Sequence, residues 1–518
     1  MRRRLPTGNA ALVAAVAGAG SVGVALRLRE LLSRRSLWLD EAMLANNIVR
    51  RDWWALAEPL DDNQGAPVGF LWAQRSVIEL FGNNEYALRA VPFVAGVAVL
   101  GLTYLLARRV LPAWAGAVAV LLVGLCPPLV RYSTEVKQYS LDVALALLVS
   151  WLALRALDEA EAGGGSRRLA AWAAAATAAV WLSHYALFVV AGTGAVLLAA
   201  SAGRRRIQAA AAAGLAAASF GGVYLLSLRD LRGNDVLVDY WAAGFPPDGA
   251  SPAGAASWLA GRLGALYQAT AGFRPAVVAG GLSVAGVAVL ARRGGRRDLA
   301  VLLAPVAVLV AAAAVHAFPM TGRLVLAVAP VLVITTVAAT TSTLRPVAVA
   351  GAVAVVVIVG GWAGPAADVA RSPTTIAEIR PVLEVVAERA RPGDHLFVHD
   401  VTEPPARYYG ALLGLRPERR LVWQPTGPAC ADGRERSAVA PPGGSTRAWV
   451  VYAYRLSVRP ADEAAMVFRR LDGLGRRATT ITRPGAAAAL YDFGRPATSA
   501  PLPPGTGELS CLGSVPLG

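Results

Sequence analysis

Long apolar segments separated by clusters of arginine fill most of the first 364 residues of this chain. About 20 apolar residues in an α-helix suffice to cross the hydrocarbon core of a bilayer. The whole chain is 55% hydrophobic and only 16% charged, whereas soluble domains carry about 25% charged residues. These features predict a polytopic α-helical membrane protein.

The net charge of +16 comes mainly from arginines that punctuate the apolar segments. A nucleic-acid-binding protein would carry them on a soluble basic face, so we expect no nucleic-acid partner. Arginine clusters instead mark the cytoplasmic ends of membrane helices, and with Arg2–Arg4 inside they fit about 11 spans. The predicted spans are 10–26, 86–106, 113–130, 141–157, two helices within 169–202 divided by a turn at 183–185, 207–228, 277–290, 299–315, 324–337 and 347–362.

Two domains follow from this pattern. Residues 1–364 form the predicted membrane domain, with outer loops 28–85 and 229–272. From Pro365 the composition becomes that of a soluble domain, in which predicted helices at 376–391 and 404–415 alternate with strands at 395–398, 449–452 and 487–492. Residues 365–518 are therefore predicted to form a small α/β domain.

The odd number of predicted spans places the N-terminus and the C-terminal domain on opposite sides of the membrane. With a cytoplasmic N-terminus, the C-terminal domain is extracytoplasmic, and the expected location is the plasma membrane. In that oxidising compartment Cys430 and Cys511 could form a disulfide. The proline- and glycine-rich end from Pro496 is expected to be loose.

Asp40 and Glu41 follow Trp38 and Leu39 at the outer edge of the first span. Such carboxylates could simply be solvated at the interface. Ions beside the apolar core are costly, however, which favours a functional role. A sheltered carboxylate here could act as the general base for an acceptor hydroxyl.

Further polar residues fall on the same predicted outer side. Asp61, Asp62 and Gln64 lie in the segment 59–67, which could be an ordinary turn or could supply substrate contacts or a metal ligand. His184 and His316 lie in outer turns, where a lone histidine is more often structural. Arg323 begins a span, where its cation needs an anionic partner or room to reach the interface.

The segment 131–142 carries the densest polar group at the start of a span. If it is helical, Glu135, Tyr139 and Asp142 share one face, whereas Lys137 points elsewhere. Anchoring at the interface would need fewer polar groups. Arg131 or Lys137 could hold a phosphate as a planar fork or as a point charge.

Several stretches, taken in order, resemble the large membrane glycosyltransferases of the C-type fold, specifically family 39 and its protein mannosyltransferase-like and aminoarabinose transferase-like bacterial relatives. No single motif carries this resemblance, which extends over roughly residues 30–345. The stretches that carry it are Leu39-Asp40-Glu41, residues 66–71, 87–92 and 132–142, and Phe318-Pro319 with Gly322-Arg323.

The resemblance implies transfer of a sugar from a polyprenyl-phosphate donor to a lipid, glycan or protein acceptor outside the cytoplasm. It matches Asp40 to the catalytic aspartate of the family, with Glu41 in support. Residues 63–66 stand where relatives usually carry a histidine, so a divalent metal ion remains an open expectation and no other cofactor is implied. Direct displacement of the lipid phosphate would invert the sugar.

Two other classes remain open. A transporter of lipids or lipid-linked sugars would place its polar residues near the middle of the membrane on broken helices, often within repeated halves. A membrane scaffold that presents the C-terminal domain would leave the outer polar residues unexplained. Membrane lipids are expected partners in every case.

Overall fold

The computed structural model describes residues 7–271, 276–293, 295–424, 439, 441, 446–453, 460–497 and 511–517. The chain forms two compact units. The first comprises Met1–Ser33 and Arg51–Pro373, and the second comprises Arg34–Arg50 and Thr374–Gly518. Residues 34–50, which lie within the outer loop 28–85 expected from the sequence, thus fold with the C-terminal part of the chain.

The α-helices cover most of the chain. In order, they are α1 (Thr7–Leu32), α2 (Leu39–Arg50), α3 (Val68–Phe81), α4 (Glu85–Val110), α5 (Ala113–Leu125), α6 (Pro127–Arg131), α7 (Tyr139–Glu161), α8 (Arg167–Leu182), α9 (Ala186–Ala199), α10 (Gly203–Val223), α11 (Arg229–Arg232), α12 (Asp235–Tyr240), α13 (Pro252–Ala271), α14 (Ala276–Arg292), α15 (Arg296–Ala314), α16 (Ala329–Ala339), α17 (Arg345–Arg371), α18 (Ile379–Arg389), α19 (Glu403–Leu413) and α20 (Pro460–Asp472).

The first unit is a bundle of apolar helices. Within the described residues, seven segments are long and apolar enough to span a membrane, and a bent pair would make an eighth. Ala186–Ala199 and Gly280–Arg292 are shorter apolar helices. Every predicted span overlaps helical structure, although 113–130 is divided between α5 and α6 and 324–337 begins in a 3-10 helix, Gly322–Val328. Helices α8 and α9 meet at the predicted turn 183–185. The prediction of a polytopic helical membrane protein is confirmed.

The bent pair joins Ala113–Leu125 to Pro127–Thr134 at an angle of 63°. The second half of the pair ends in a 3-10 turn, Tyr132–Thr134, in which the hydroxyl of Ser133 donates to the Val130 carbonyl at 2.6 Å. The hydroxyl of Thr134 donates to the Arg131 carbonyl at 3.3 Å. In a continuing helix, these two carbonyls would accept hydrogen bonds from backbone N–H groups, so the side-chain hydroxyls compete with the helix.

The segment 131–142 is therefore not one continuous helix. Glu135 is extended, with φ −103° and ψ 144°, and α7 begins only at Tyr139. Glu135, Tyr139 and Asp142 would share one face only in a continuous helix, so the i, i+4, i+7 spacing does not apply across this break.

Ion pairs connect the ends of α4, α7 and α15. The guanidinium of Arg109 binds both carboxylate oxygens of Asp158 at 2.7 and 2.9 Å and also contacts Asp298. Arg297 reaches Asp158 at 3.1 Å. Both arginines belong to clusters that the sequence analysis assigns to the cytoplasmic side.

The second unit contains a mixed sheet of six strands. They are β1 (His395–His399), β2 (Arg419–Gln424), β3 (Arg447–Ala453), β4 (Arg476–Arg483), β5 (Ala486–Asp492) and β6 (Cys511–Pro516), in the spatial order β4-β5-β3-β1-β2-β6. β1 runs parallel to β2 and β3, and the other pairings are antiparallel. The predicted C-terminal α/β domain is confirmed in architecture. Cys430 lies outside the described residues, as does the side chain of Cys511.

Helix α2 belongs to this second unit and packs on α19. The hydroxyl of Tyr409 accepts a hydrogen bond from the Leu37 backbone N–H at 2.7 Å. The amide of Asn46 donates to the Pro404 carbonyl at 2.9 Å. Most of α2 is buried, including Leu44 and Ile48, which explains the apolar positions in a loop that otherwise looks polar.

Candidate functional site

The candidate residues divide between the two units. Asp40 and Glu41 lie in the second unit, and the rest lie in the first. Within the first unit, the break between α6 and α7 carries Arg131 and Lys137, and Arg323 lies close enough to Arg131 for the two charges to interact. We call Arg131, Lys137 and Arg323 the cationic cluster.

Arg131 forms an ion pair with Glu135. Its Nε donates to Oε1 of Glu135 at 2.7 Å, and the Glu135 side chain is 1% exposed. The guanidinium of Arg323 lies near enough to interact electrostatically with that of Arg131. Two like charges repel each other, so an anion bound beside both arginines would be stabilised.

Aromatic rings flank both arginines. The Cζ atom of Arg323 lies 5.5 Å from the centre of the Tyr139 ring and 5.6 Å from that of Trp241. Arg131 lies 5.6 Å from the ring of Tyr132, which packs edge-on against Tyr139 at 5.2 Å. These cation–π contacts orient the two guanidinium groups.

Lys137 is the only lysine among the 50 basic residues of the chain. It is 4% exposed, and its Nζ donates to Oε1 of Gln64 at 2.6 Å. Because arginine serves at every other basic position, a compact ammonium with three rotatable donors is a specific feature of this one. That Lys137 is the one lysine can be read from the sequence, and this signal singles it out among the candidate residues.

Gln64, the hydrogen-bond acceptor of Lys137, lies in the turn 59–67. Asp61 and Asp62 have different surroundings from Gln64: Asp61 pairs with Arg51 at 2.8 Å and is 60% exposed. Asp62 and Asn63 adopt positive φ values of 58° and 50°. Asx residues tolerate this left-handed conformation, which explains their presence in so tight a turn.

Asp142 lies one turn into α7 and is buried. The hydroxyl of Ser183 hydrogen-bonds the Asp142 carboxyl group and also accepts the Ala186 N–H at 3.0 Å. Ser183 thus connects α7 to the start of α9. His184 is the next residue in this turn and is half-buried.

His316 lies at the edge of a cavity. It has a φ of 54°, stacks on Phe245 at 5.1 Å, and its Nε2 lies 3.1 Å from the Pro246 carbonyl. The cavity measures about 470 Å³ and is also lined by Asp248 and Trp258.

Asp40 and Glu41 lie in the first turn of α2, where the positive end of the helix dipole stabilises carboxylates. Glu41 is fully buried and Asp40 is half-buried. Hydrogen bonds position the residues just before them: the Ser36 hydroxyl donates to Oε2 of Glu378 at 3.0 Å and accepts the Arg380 N–H at 3.1 Å. The carboxylates therefore sit on a well-anchored helix end.

A metal site finds no support in the side chains. In the part of the chain that the structure describes, no group of three or more His, Cys, Asp or Glu residues could hold a metal ion. Asp61 and Asp62, the candidate ligands of the turn 59–67, belong to no such group.

Three residues at the site were missed by sequence reasoning. Trp241 covers Arg323, Tyr132 covers Arg131, and Ser183 bonds to Asp142. Trp241 directly follows α12, within the predicted outer loop 229–272, where no periodic pattern singles it out. Cation–π partners of arginine are usually aromatic residues. Which aromatic residue lies beside Arg323 can be seen only in the three-dimensional structure.

Residues 65–224 match the family model described as dolichyl-phosphate-mannose-protein mannosyltransferase. The matched range begins directly after Gln64 and contains Arg131, Lys137 and Asp142. No curated protein matches the chain significantly.

Among solved structures, the oligosaccharyltransferase AglB from Archaeoglobus fulgidus, in complex with an inhibitory peptide and a dolichol-phosphate, matches with a TM-score of 0.50 and 13% identity, over 92% of this chain and 74% of that chain. The Archaeoglobus fulgidus oligosaccharyltransferase in complex with Zn and sulfate matches with a TM-score of 0.48 and 15% identity, over 78% of this chain and 62% of that chain. ArnT from Cupriavidus metallidurans bound to undecaprenyl phosphate matches with a TM-score of 0.44 and 16% identity, over 94% of this chain and 98% of that chain.

The AglB match shows the fold, which is the C-type fold of membrane glycosyltransferases. Together with the family model, it confirms the resemblance predicted from the sequence.

Proposed function

We propose that this chain is an integral membrane glycosyltransferase that moves a sugar from a polyprenyl-phosphate donor to an acceptor hydroxyl outside the cytoplasm. The observation that carries the proposal is the cationic cluster at the break between α6 and α7, within a bundle of membrane helices. The mannosyltransferase family model covers the segment that holds Arg131 and Lys137. AglB, whose fold the chain shares, was solved with a dolichol-phosphate, so a polyprenyl phosphate is the first ligand to test.

The cationic cluster binds the phosphate of the donor. Arg131 and Arg323 can each present a planar pair of N–H donors to an oxyanion, and Lys137 adds a point charge. As the bond between the anomeric carbon and the phosphate oxygen breaks, negative charge grows on the leaving group. Preorganised cations at that position stabilise the transition state.

Asp40 serves as the general base. The acceptor oxygen attacks the anomeric carbon, its proton moves to Asp40, and the polyprenyl phosphate leaves with the electron pair of the broken bond. Asp40 lies in the first turn of α2, at the positive end of the helix dipole. Glu41 supports it, and a single direct displacement inverts the anomeric centre.

No step in this mechanism is assigned to a metal ion, because the described side chains form no suitable cluster. The acceptor is a lipid, a glycan or a protein, and the plasma membrane with its lipids is the site of action. Under the proposed topology, the N-terminus is cytoplasmic and the second unit is extracytoplasmic.

The test uses purified protein and a panel of radiolabelled polyprenyl-phosphate sugars. We expect transfer or slow hydrolysis of at least one donor by the wild type, and its loss in Asp40→Asn. Asp368→Asn is the matched control, since this carboxylate is 75% exposed on α17. Activity unchanged by Asp40→Asn would remove Asp40 as the base, and inactivity of the wild type toward every donor and acceptor would contradict the transferase.

A transporter of lipid-linked sugars is the second candidate, and the bend of 63° between α5 and α6 favours it. Transporters bind substrates at broken helices of this kind. Proteoliposomes loaded with labelled polyprenyl-phosphate sugar distinguish the two. A transporter moves intact donor between leaflets, whereas the proposed enzyme separates sugar from lipid.

A further inference from the structure

Arg27 is an arginine buried inside the membrane-helix unit. It lies near the end of α1 and has 0% exposure. Buried cations among membrane helices are costly and usually have a specific role. The guanidinium group donates through Nη1 to the carbonyls of Gly23 at 2.9 Å and Gly124 at 3.2 Å, and through Nη2 to that of Val123 at 3.3 Å.

Two of these carbonyls have lost their usual donors. In a continuous α-helix, the carbonyls of Val123 and Gly124 would accept the N–H groups of residues 127 and 128. Both positions are proline, which has no N–H. Arg27 therefore supplies from α1 the two hydrogen bonds that Pro127 and Pro128 withhold from α5.

The neighbouring glycines permit this contact. A Cβ atom on Gly23 would lie 2.9 Å from the Cα of Gly124, so both positions must be small for α1 to approach α5 this closely. The negative end of the α5 dipole also faces the cation, which stabilises the charge without a carboxylate.

We infer that Arg27 is a positioning residue that stabilises the bend between α5 and α6. The segment that follows the bend, residues 127–137, carries Arg131 and Lys137. Ser133 within it packs against Gly96 of α4, beside Arg27: a Cβ on Gly96 would lie 3.5 Å from Nε of Arg27. Arg27 thereby determines where two members of the cationic cluster are held.

The first test is hydrogen exchange of the full-length protein in detergent, measured by mass spectrometry on peptides covering residues 122–135. In Arg27→Met, we expect exchange there to be faster by roughly ten- to a hundredfold, because hydrogen bonds from a charged donor are lost. Arg29→Met is the matched control, since Arg29 lies on the same helix and bonds to the Ala370 carbonyl at the surface. Wild-type exchange rates in Arg27→Met would overturn the inference.

A compensating variant keeps the test decisive if Arg27→Met does not fold. Replacing Pro127 and Pro128 by alanine in the Arg27→Met background restores the missing N–H donors. We expect folding and slow exchange to return while the helix straightens. Failure of this triple variant to regain stability would overturn the assignment of the two carbonyls to Arg27.

Binding of polyprenyl monophosphate tests the positioning role, and this part rests on the proposed function. The triple variant should be folded but should bind the lipid at least about tenfold more weakly than wild type, as expected from one lost charged contact. Wild-type affinity in the triple variant would overturn the positioning role. If the wild type itself does not bind the lipid, the proposed function fails, and the exchange data still decide whether Arg27 stabilises the bend.

Discussion

At the scale of single residues, Lys137 is the clearest functional signal. A chain that uses arginine at every other basic position places its one lysine in a buried site, bonded to Gln64. An ammonium can reorient its three donors between Gln64 and a phosphate, which the rigid fork of arginine cannot do.

Gln64→Leu should weaken donor binding without removing a charge. The substitution deletes the acceptor that holds Lys137 at 2.6 Å, so the ammonium loses its orientation. We expect the dissociation constant for polyprenyl phosphate to rise by roughly three- to tenfold, the effect of one net hydrogen bond. Gln208→Leu, on α10, is the control and should bind normally. Equal affinities for the two variants would contradict the role of Gln64.

Gly96→Ala should destabilise the first unit. A Cβ at this position would clash with Ser133 and lie 3.3 Å from its Cα. Forcing an extra methyl group into a packed helix contact costs about 1–3 kcal/mol. Gly101→Ala lies on the same helix with nothing within 4 Å of the new Cβ, so it should be neutral or stabilising by up to about 1 kcal/mol. Thermal unfolding in detergent compares them, and equal melting temperatures would contradict the packing account.

At the scale of elements, hydrophobic length predicted most of the helices because membrane spans need long apolar segments. The paired strands β1 and β3 were also found, since they are buried and apolar. Strands β2 and β4 were missed because their arginine and threonine residues interrupt the apolar pattern of a buried strand. Strand β4 is also half exposed at the edge of the sheet.

The candidate site was harder to predict. Arg131 and Glu135 have the i, i+4 spacing of a helical ion pair, and they do form one at 2.7 Å, yet the chain between them leaves the helix. Side-chain bonds from Ser133 and Thr134 to backbone carbonyls compete with helix formation at that break, and local propensity does not reveal them. The pairing of Gln64 with Lys137 joins positions 73 residues apart, so no spacing rule could find it.

The ion pair between Asp394 and Arg447 should make the sheet of the second unit sensitive to acid. Burial alone would raise the pKa of Asp394, but hydrogen bonds from Arg447, at 2.7 and 3.1 Å, and from the Arg391 backbone hold it below its usual range. A lowered pKa means that the pair stabilises the fold fully above the unfolded value near 3.9 and loses this effect as the pH falls through the folded pKa.

Asp394→Asn should therefore lower stability at pH 7 by about 1–3 kcal/mol and by much less in acid. Limited proteolysis of the second unit at several pH values measures the difference. Arg495→Gln is the control, because it removes an exposed ion pair with Asp492 worth less than about 1 kcal/mol. A difference between Asp394→Asn and wild type that stays constant with pH would refute the assignment.

At the scale of the whole molecule, the two units carry different parts of the proposed chemistry. The first unit holds the cationic cluster, and the second holds Asp40 on a helix that packs against α19. The sequence places Asp40 in a loop of the membrane domain because chain order alone cannot show that residues 34–50 fold with residues 374–518. Under the proposed function, the second unit lies outside the cytoplasm.

Cysteine labelling in intact cells tests the topology. With the three native cysteines replaced by serine, Thr480→Cys in β4 should react with a membrane-impermeant maleimide from outside. Gly165→Cys, in the exposed turn between α7 and α8, should react only after permeabilisation. The reverse pattern would invert the proposed orientation.

The most direct test of the central claim is the equilibrium affinity of the purified protein for polyprenyl monophosphate. We predict that Lys137→Met weakens binding by roughly ten- to a hundredfold, because a charge-assisted contact to the phosphate is lost. Arg155→Met, which removes a cation stacked on Trp151 further along α7, should bind like wild type. Wild-type affinity in Lys137→Met, with the protein still folded, would contradict the assignment of the cationic cluster as the donor-phosphate site.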